Sequence, residues 1–381
     1  MEDLMGQVAA CRRQGERGVL SSLVASSGSI PMSERAKMLV KEDGQVLGTI
    51  GGGCLEAEII GVGRDVLRTG IPQISRFTLT EEQAGESGLN CGGTVGIYTE
   101  LVSCGADAPG SEEESDVFAA IAEAKEARQA CVLATVLSPL TPPPPRALYL
   151  ANGGRIGSLG SRGLDDEADS LAAAVMDSET AVLARIDESV TAGTDELQPW
   201  GEGKGGELFL EPFVPPPVLY IFGGGHVGGQ ICRLARGVGF GVVVIDDRPM
   251  FANAVRHPDA DECVVGDPVT VFEHIDLDER AFIVAATRGH QHDEVVVEQA
   301  IRTRAGYVGM LGSERKKVTL WKRLAARGAD PERLAQVYAP IGLNIGADNP
   351  EEIAVSVVAE LIQFRRAPRK VWKTKRASVG D

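Results

Sequence analysis

Two glycine-rich segments carry the residues best suited to chemistry. The first is Gly48-Thr49-Ile50-Gly51-Gly52-Gly53-Cys54-Leu55-Glu56. Without side chains, Gly51, Gly52 and Gly53 can turn successive amides toward one point and form an anion-binding nest. Cys54 then falls in the first turn of the helix that follows, where the free amides favour a thiolate. Such a sulfur can ligate a soft metal or carry a sulfur atom. A second thiol, Cys91, stands in Asn90-Cys91-Gly92-Gly93, again beside glycines and before a strand. Cys54 and Cys91 are therefore the candidate reactive groups, and Cys54 the candidate metal contact. Cys11, Cys104, Cys131, Cys232 and Cys263 have no comparable context and read as small buried hydrophobes.

The second segment fits G-x-G-x-x-G at Gly223, Gly225 and Gly228, after an apolar run and before a helix. Gly223 permits the tight turn, Gly225 lets a phosphate approach the backbone, and Gly228 lets helix and strand pack closely. Asp246 ends the next strand about 20 residues on, where a dinucleotide-binding fold keeps its ribose carboxylate. Ligands of such sheets bind beyond the carboxyl ends of the strands. One groove should therefore collect His226, Asp246, Arg248, Arg288, His290, His292 and Arg315, a set that suits an anionic, phosphate-bearing ligand. His290 and His292 with Asp293 also raise a metal site, but their i, i+2 spacing is not that of a helical zinc motif. Capping of the following helix by His292 or Asp293 is the simpler expectation.

The elements that must position these residues follow from periodicity. Strands are expected at 19–26, 36–40, 94–101 and 131–137, with helices at 54–69 and 116–130. From residue 218 strands alternate with helices: strands at 218–222, 242–245, 263–265, 281–286 and 307–311, and helices from the glycine turn to 234 and at 295–304 and 314–327. That alternation implies a parallel sheet with right-handed crossovers. The fold class is thus α/β, a C-terminal Rossmann-type parallel sheet plus an N-terminal mixed α/β domain. No internal repeat is visible. Pro- or acid-rich stretches at 105–116 and 138–145 read as linkers, and a third at 211–217, which should interrupt regular structure, marks the main domain boundary. The expected division is 1–214, 215–364 and a basic tail at 365–381.

The net charge of −16 disfavours nucleic acid and anionic membrane as partners. No run approaches the roughly 20 apolar residues of a membrane span, and neither a leader peptide nor stable membrane insertion is expected. Seven scattered cysteines without a CxxC pair suit the reducing cytoplasm better than a disulfide framework or zinc site.

Taken together, several segments resemble the xanthine dehydrogenase accessory factor family, XdhC/CoxI. They are GSIP with AKMLV (28–40), GTIGGGCLE (48–56), CGG (91–93), FGGGHVGG (222–229), VVVIDDRPMFA (242–252), TRGHQHDEVV (287–296), YVGMLGSERKK (307–317) and PIGLNIGADNPEEIAVSVVAELI (340–362). Met32, Glu314 and Asn344 stand where the family pattern has arginine, arginine and aspartate. The stretch from about 105 to 214 carries no matching motif. The resemblance implies a chaperone that transiently binds the molybdenum cofactor (molybdopterin) while its sulfido ligand is installed. It implies delivery to a molybdenum hydroxylase of the xanthine dehydrogenase or CO dehydrogenase type, with a sulfur donor such as a cysteine desulfurase, and a homodimer. The iron–sulfur cysteine spacing of the client enzyme itself is absent. The pterin phosphate would dock on the glycine-loop amides and on Arg288 and Arg315, with Cys54 and Cys91 toward molybdenum or sulfur. The alternative reading is an NAD(P)-dependent oxidoreductase, carried by the Gly223–Gly228 fingerprint and Asp246.

Overall fold

The computed structural model describes residues 4–30, 32–33, 35–78, 93–103, 116–138, 140–186, 190–192, 206–275 and 277–366. They form two compact units that divide between Pro215 and Pro216.

The first unit opens with α1 (Leu4–Arg13), β1 (Gly18–Ser27), β2 (Lys37–Lys41), β3 (Val46–Thr49), α2 (Cys54–Thr69), β4 (Gln73–Thr78) and β5 (Thr94–Val102). These strands make an antiparallel sheet in the order β3-β2-β1-β5-β4. Then come α3 (Val117–Glu126), β6 (Cys131–Ser138), β7 (Arg146–Leu150), β8 (Arg155–Ser158), α4 (Arg162–Ser178), β9 (Val182–Ile186), β10 (Val190–Ala192) and β11 (Gly206–Phe213). Their sheet runs β10-β9-β11-β6-β7-β8. Read from the other edge, with β10 set aside, this is the first sheet again, strand for strand and helix for helix.

The correspondence extends to register. Ser22 on β1 faces Lys37 and Tyr98, and Thr135 on β6 faces Arg146 and Phe209. Gly48 faces Met38 as Gly157 faces Ala147. Ile74 faces Tyr98 as Leu183 faces Phe209. The first unit is thus a doubled α-β-β-β-α-β-β module, which corrects the expectation of no repeat. The shared residues are mostly apolar positions that tolerate exchange at similar volume, so the copies diverge in sequence while keeping their pattern.

The inner strands β1, β2, β5, β6, β7 and β11 are buried on both faces along most of their length, which explains their mainly apolar sequences. The outer face of the first sheet (Val19, Met38, Ile97) packs on Leu55, Ile59 and Val66 of α2. The outer face of the second (Val132, Ala134, Tyr149) packs on Ala168, Ala172 and Val175 of α4. The inner faces meet around α1 and α3, where Val8 and Cys11 join Phe118 and Ile121 against Leu20, Leu39, Leu133 and Leu148. Val24, Tyr98, Leu137 and Phe209 complete the contact with two equivalent residues from each copy. Two ion pairs cross it reciprocally. Lys37 of the first copy meets Glu211 of the second at 2.9 Å, and Arg146 of the second meets Glu100 of the first. All four side chains are about nine-tenths buried.

The second unit contains β12 (Val218–Phe222), α5 (His226–Gly237), β13 (Gly241–Asp246), β14 (Glu262–Val265), α6 (Pro268–Val271), β15 (Ala281–Ala285), α7 (His290–Ala300), β16 (Tyr307–Met310), α8 (Glu314–Ala326), α9 (Pro331–Leu334) and α10 (Pro350–Arg366). Its sheet is parallel throughout, in the order β14-β13-β12-β15-β16. Ile231 and Ala235 of α5 and Val357 and Leu361 of α10 cover one face. Val296 and Ala300 of α7 and Leu320 and Leu324 of α8 cover the other. The strand order reverses between β12 and β15, which places the expected crevice at their carboxyl ends.

Three expectations need correction. The Pro-rich run Glu211–Pro217 does not interrupt the sheet from its start: Glu211 to Phe213 are the end of β11, paired to β6. The helix expected at 295–304 begins at His290, because Gly289 at φ 94° ends the loop there. Arg365 and Arg366 are the last turn of α10 and not a tail. Arg365 lies over the Phe240 ring and donates to the Val238 carbonyl. Residues 367–381 lie outside the described residues, as do Cys91, Cys104 and most of the acidic stretch 105–116.

Candidate functional site

In the first unit, β3 delivers the chain into the glycine loop and α2 takes it away. Gly51, Gly52 and Gly53 have φ of 93°, 78° and 65°, a left-handed run that only glycine adopts without strain. Gly51 lies against the Met32 side chain, which a Cβ at residue 51 would overlap. Buried Ile50 and Leu55 anchor the loop on both sides. Cys54 is the first residue of α2, exposed and without a disulfide.

Sequence reasoning missed Glu56. Its Oε1 accepts the Thr49 hydroxyl at 2.5 Å and the amides of Ile50 and Gly52, each at 3.1 Å. The expected anion nest is therefore partly filled by the protein's own carboxylate. The second copy shows the same device: Asp165 accepts Ser158 Oγ at 2.8 Å and the Leu159 amide at 2.7 Å. The two segments, GTIGGGCLEAE and GSLGSRGLDDE, align without a gap once the sheets are superposed in register, and this was the signal available in the sequence.

The copies differ where chemistry would occur. Gly163 replaces Cys54. Ser161 caps α4 by accepting the Leu164 amide at 3.3 Å, whereas α2 has Gly53 at its N-cap and no side-chain cap. The second helix thus closes its own N-terminus, and the first leaves the amides of its opening turn uncapped beside a thiol. Near this loop, Gly93 at the start of β5 packs on Ile30 and on the carbonyls of Ser27 and Ser29.

In the second unit, the crevice at the carboxyl ends of β12, β13 and β15 is a small depression. Phe222, Gly223, Asp246, Asp247, Thr287, Arg288 and His292 line it, among others. Gly223 lies directly against Ala286 and Thr287, and Gly228 against the Gly223 carbonyl, so both glycines serve close backbone approach. Gly225 faces open space at the N-cap of α5 and has no side-chain cap; His226 beside it is exposed.

The cations expected to gather here are largely paired. Arg288 bridges to Asp247 at 2.9 Å, from the loop after β15 to the loop after β13, across the end of β12. Lys316 binds Asp293 at 2.5 Å. Asp293 also accepts the amide and hydroxyl of Thr287, at 3.0 and 2.6 Å. It therefore fastens the preceding loop and does not cap α7, whose N-cap Gly289 has no side-chain bond. Arg315, on α8, is exposed and makes no ion pair among the described residues. His290 heads α7. Among the described residues no group of three or more His, Cys, Asp or Glu is arranged to hold a metal ion.

Asp246 is buried at the end of β13 and bound to Arg248. Burial acts against its charge, but bonds from the Arg248 side chain and from the Gly224 and Arg248 amides outweigh it and hold the carboxyl below its ordinary value. Arg248 stacks on the Phe251 ring at 3.7 Å.

Comparison with known proteins bears on both units. A model described as the XdhC and CoxI family matches residues 11–78, and one described as the XdhC Rossmann domain matches residues 219–361. The chain is 26% identical over 355 residues to a probable xanthine dehydrogenase subunit of Bacillus subtilis (strain 168), covering 92% of this chain and 94% of that one. It is 30% identical over 159 residues to the uncharacterized protein YqeB of Escherichia coli (strain K12), covering 42% of this chain and 29% of the other. A crystal structure described as a xanthine dehydrogenase from Bacillus halodurans shares the fold, with a TM-score of 0.73, 24% identity and coverage of 98% of this chain and 97% of that one. Among the described residues no helix is long and apolar enough to cross a membrane. The glycine–cysteine loop on its antiparallel sheet and the glycine turn on its parallel sheet, each within a matched segment, place the chain in the XdhC and CoxI family.

Proposed function

We propose that this chain is an accessory factor that binds the molybdenum cofactor as cargo and prepares it for a xanthine dehydrogenase or CO dehydrogenase type enzyme. Family membership supports the accessory role. The observation that carries the cofactor reading is the asymmetry of the doubled loop. Both copies fold the loop with a carboxylate staple, but only the first adds a thiol, at Cys54, and leaves its helix uncapped. The thiol is not needed to make the loop, since the second copy forms without one. It is exposed, and a soft sulfur suits molybdenum or a transferable sulfido group. The uncapped amides of α2 suit the cofactor's phosphate; within the second unit, the uncapped start of α5 and the cations Arg288 and Arg315 suit an anion by themselves. A sulfur donor and a homodimeric assembly complete the proposal.

The test is equilibrium binding of molybdopterin, released from a molybdoenzyme, to the purified chain and to Cys54→Ala. Affinity should fall by at least about tenfold, or roughly 1.4 kcal/mol. Equal affinity in the variant removes the thiol from the proposal, and no binding by either protein removes the cargo.

A further inference from the structure

The glycine fingerprint and Asp246 suggest a nucleotide cofactor such as NAD(P) in the second unit, but the geometry around Asp246 does not fit one. An ionised carboxylate offers about four acceptor positions. Oδ2 accepts the Gly224 amide at 3.0 Å and Arg248 Nη2 at 3.1 Å; Oδ1 accepts the Arg248 amide at 3.1 Å and Arg248 Nε at 2.9 Å. All four positions are filled from within the protein, and the residue is 6% exposed. Recognition of a ribose diol needs that carboxylate as a free acceptor.

The arginine is equally committed. An arginine beside the acid is the usual partner of a ribose 2′-phosphate, but Arg248 is held bidentate by Asp246 and stacked on Phe251. Arg256 lies over the same ring at 4.7 Å and donates from Nε to the Gly224 carbonyl at 3.0 Å. His257 is buried and bonds the Phe251 carbonyl at 2.8 Å. Both press on Gly224, where any Cβ would overlap the Phe251 carbonyl. Residues 248–257 therefore form a strap fastened over the glycine turn on the side where a nucleotide sugar would lie.

We infer that Asp246 and Arg248 are a structural latch that ties this strap to the glycine turn, and that the second unit binds neither NAD nor NADP through them. Thr287, Arg288 and His292 line the rest of the depression, where an anion without a ribose would have to displace Asp247 from Arg288. The inference is independent of the cofactor proposal above, because it concerns only the nucleotide sugar.

The experiment titrates the full chain with NADH and with NADPH, followed by fluorescence, and measures melting of Asp246→Asn, Arg248→Ala and the double variant. Neither nucleotide should bind up to about 1 mM, an affinity that would be worth only ~4 kcal/mol. Each single variant should melt about 5–10 °C lower, and the double variant no lower than the worse single one, because both remove one interaction. Should either variant fail to fold, Arg248→Lys keeps the charge and loses the fork, and should melt between wild type and Arg248→Ala. Binding of either nucleotide by the wild-type chain overturns the inference. So do unchanged melting temperatures or additive losses, which would show that no latch exists.

Discussion

At the scale of single residues, thiols of one chain are set apart chiefly by burial. Cys131 and Cys232 are almost fully buried, and desolvation pushes each up to about 12, with nearby Asp259 adding to the rise at Cys232. Cys54 is exposed. Since thiolate is the nucleophile, brief treatment with iodoacetamide at pH 7.5, read by peptide mass mapping, should label Cys54 and leave Cys131 and Cys232 unlabelled. Labelling of all three at similar rates would show that the cores around β6 and α5 open readily. Asp246 gives a second residue-level prediction. Its folded pKa is depressed, so its stabilising contribution is present above the unfolded value of 3.8 and is lost as pH falls through the lower folded value. The second unit's melting temperature should therefore fall more steeply below pH 3.8 in the wild type than in Asp246→Asn, as followed by calorimetry.

At the scale of elements, the sequence is most legible where the period is strong. The helix at 54–69 and the strand at 218–222 have the expected bounds, because a capping glycine or a flanking proline marks their ends. Elements between 146 and 213 do not stand out in the sequence. Their strands are as short as three residues, and Gly157 and Pro212 sit inside strands where they usually signal turns. The candidate site was half legible. Glycine and cysteine types announce themselves, but Glu56 is an ordinary helix residue whose role appears only when the loop curls back onto it. Glu56→Ala should lower stability by about 1–3 kcal/mol, since three donors lose a shared charged acceptor. Its measure is chemical denaturation. A loss of alkylation selectivity at Cys54 should accompany it. No change in either would leave Glu56 without a part in shaping the loop.

At the scale of the whole first unit, the reciprocal ion pairs decide how the copies are held. Removing one partner strands a buried charge, which costs about 3–5 kcal/mol, whereas removing both is close to neutral. Lys37→Met should therefore be strongly destabilising, and Lys37→Met with Glu211→Met should recover most of the loss, as read by denaturant midpoints. Independent, additive losses would show that Lys37 and Glu211 do not depend on each other. None of this was accessible from residue types alone. Lys37 and Glu211 are 174 positions apart, and only the pairing of two similar sheets brings them together.

Carrying both halves on one polypeptide also has an arithmetic effect. Two identical subunits would have to change every position twice, once in each, so a reactive sulfur could not exist on one side only. Tandem fusion permits a single loaded station per molecule, with its mirror site silent. Gly163 has open space around its missing side chain, so Gly163→Cys should fold and present a second alkylatable sulfur. Counting cargo bound per chain in that variant against the wild type reveals whether the silent side lacks only its sulfur or also the open helix end beside it.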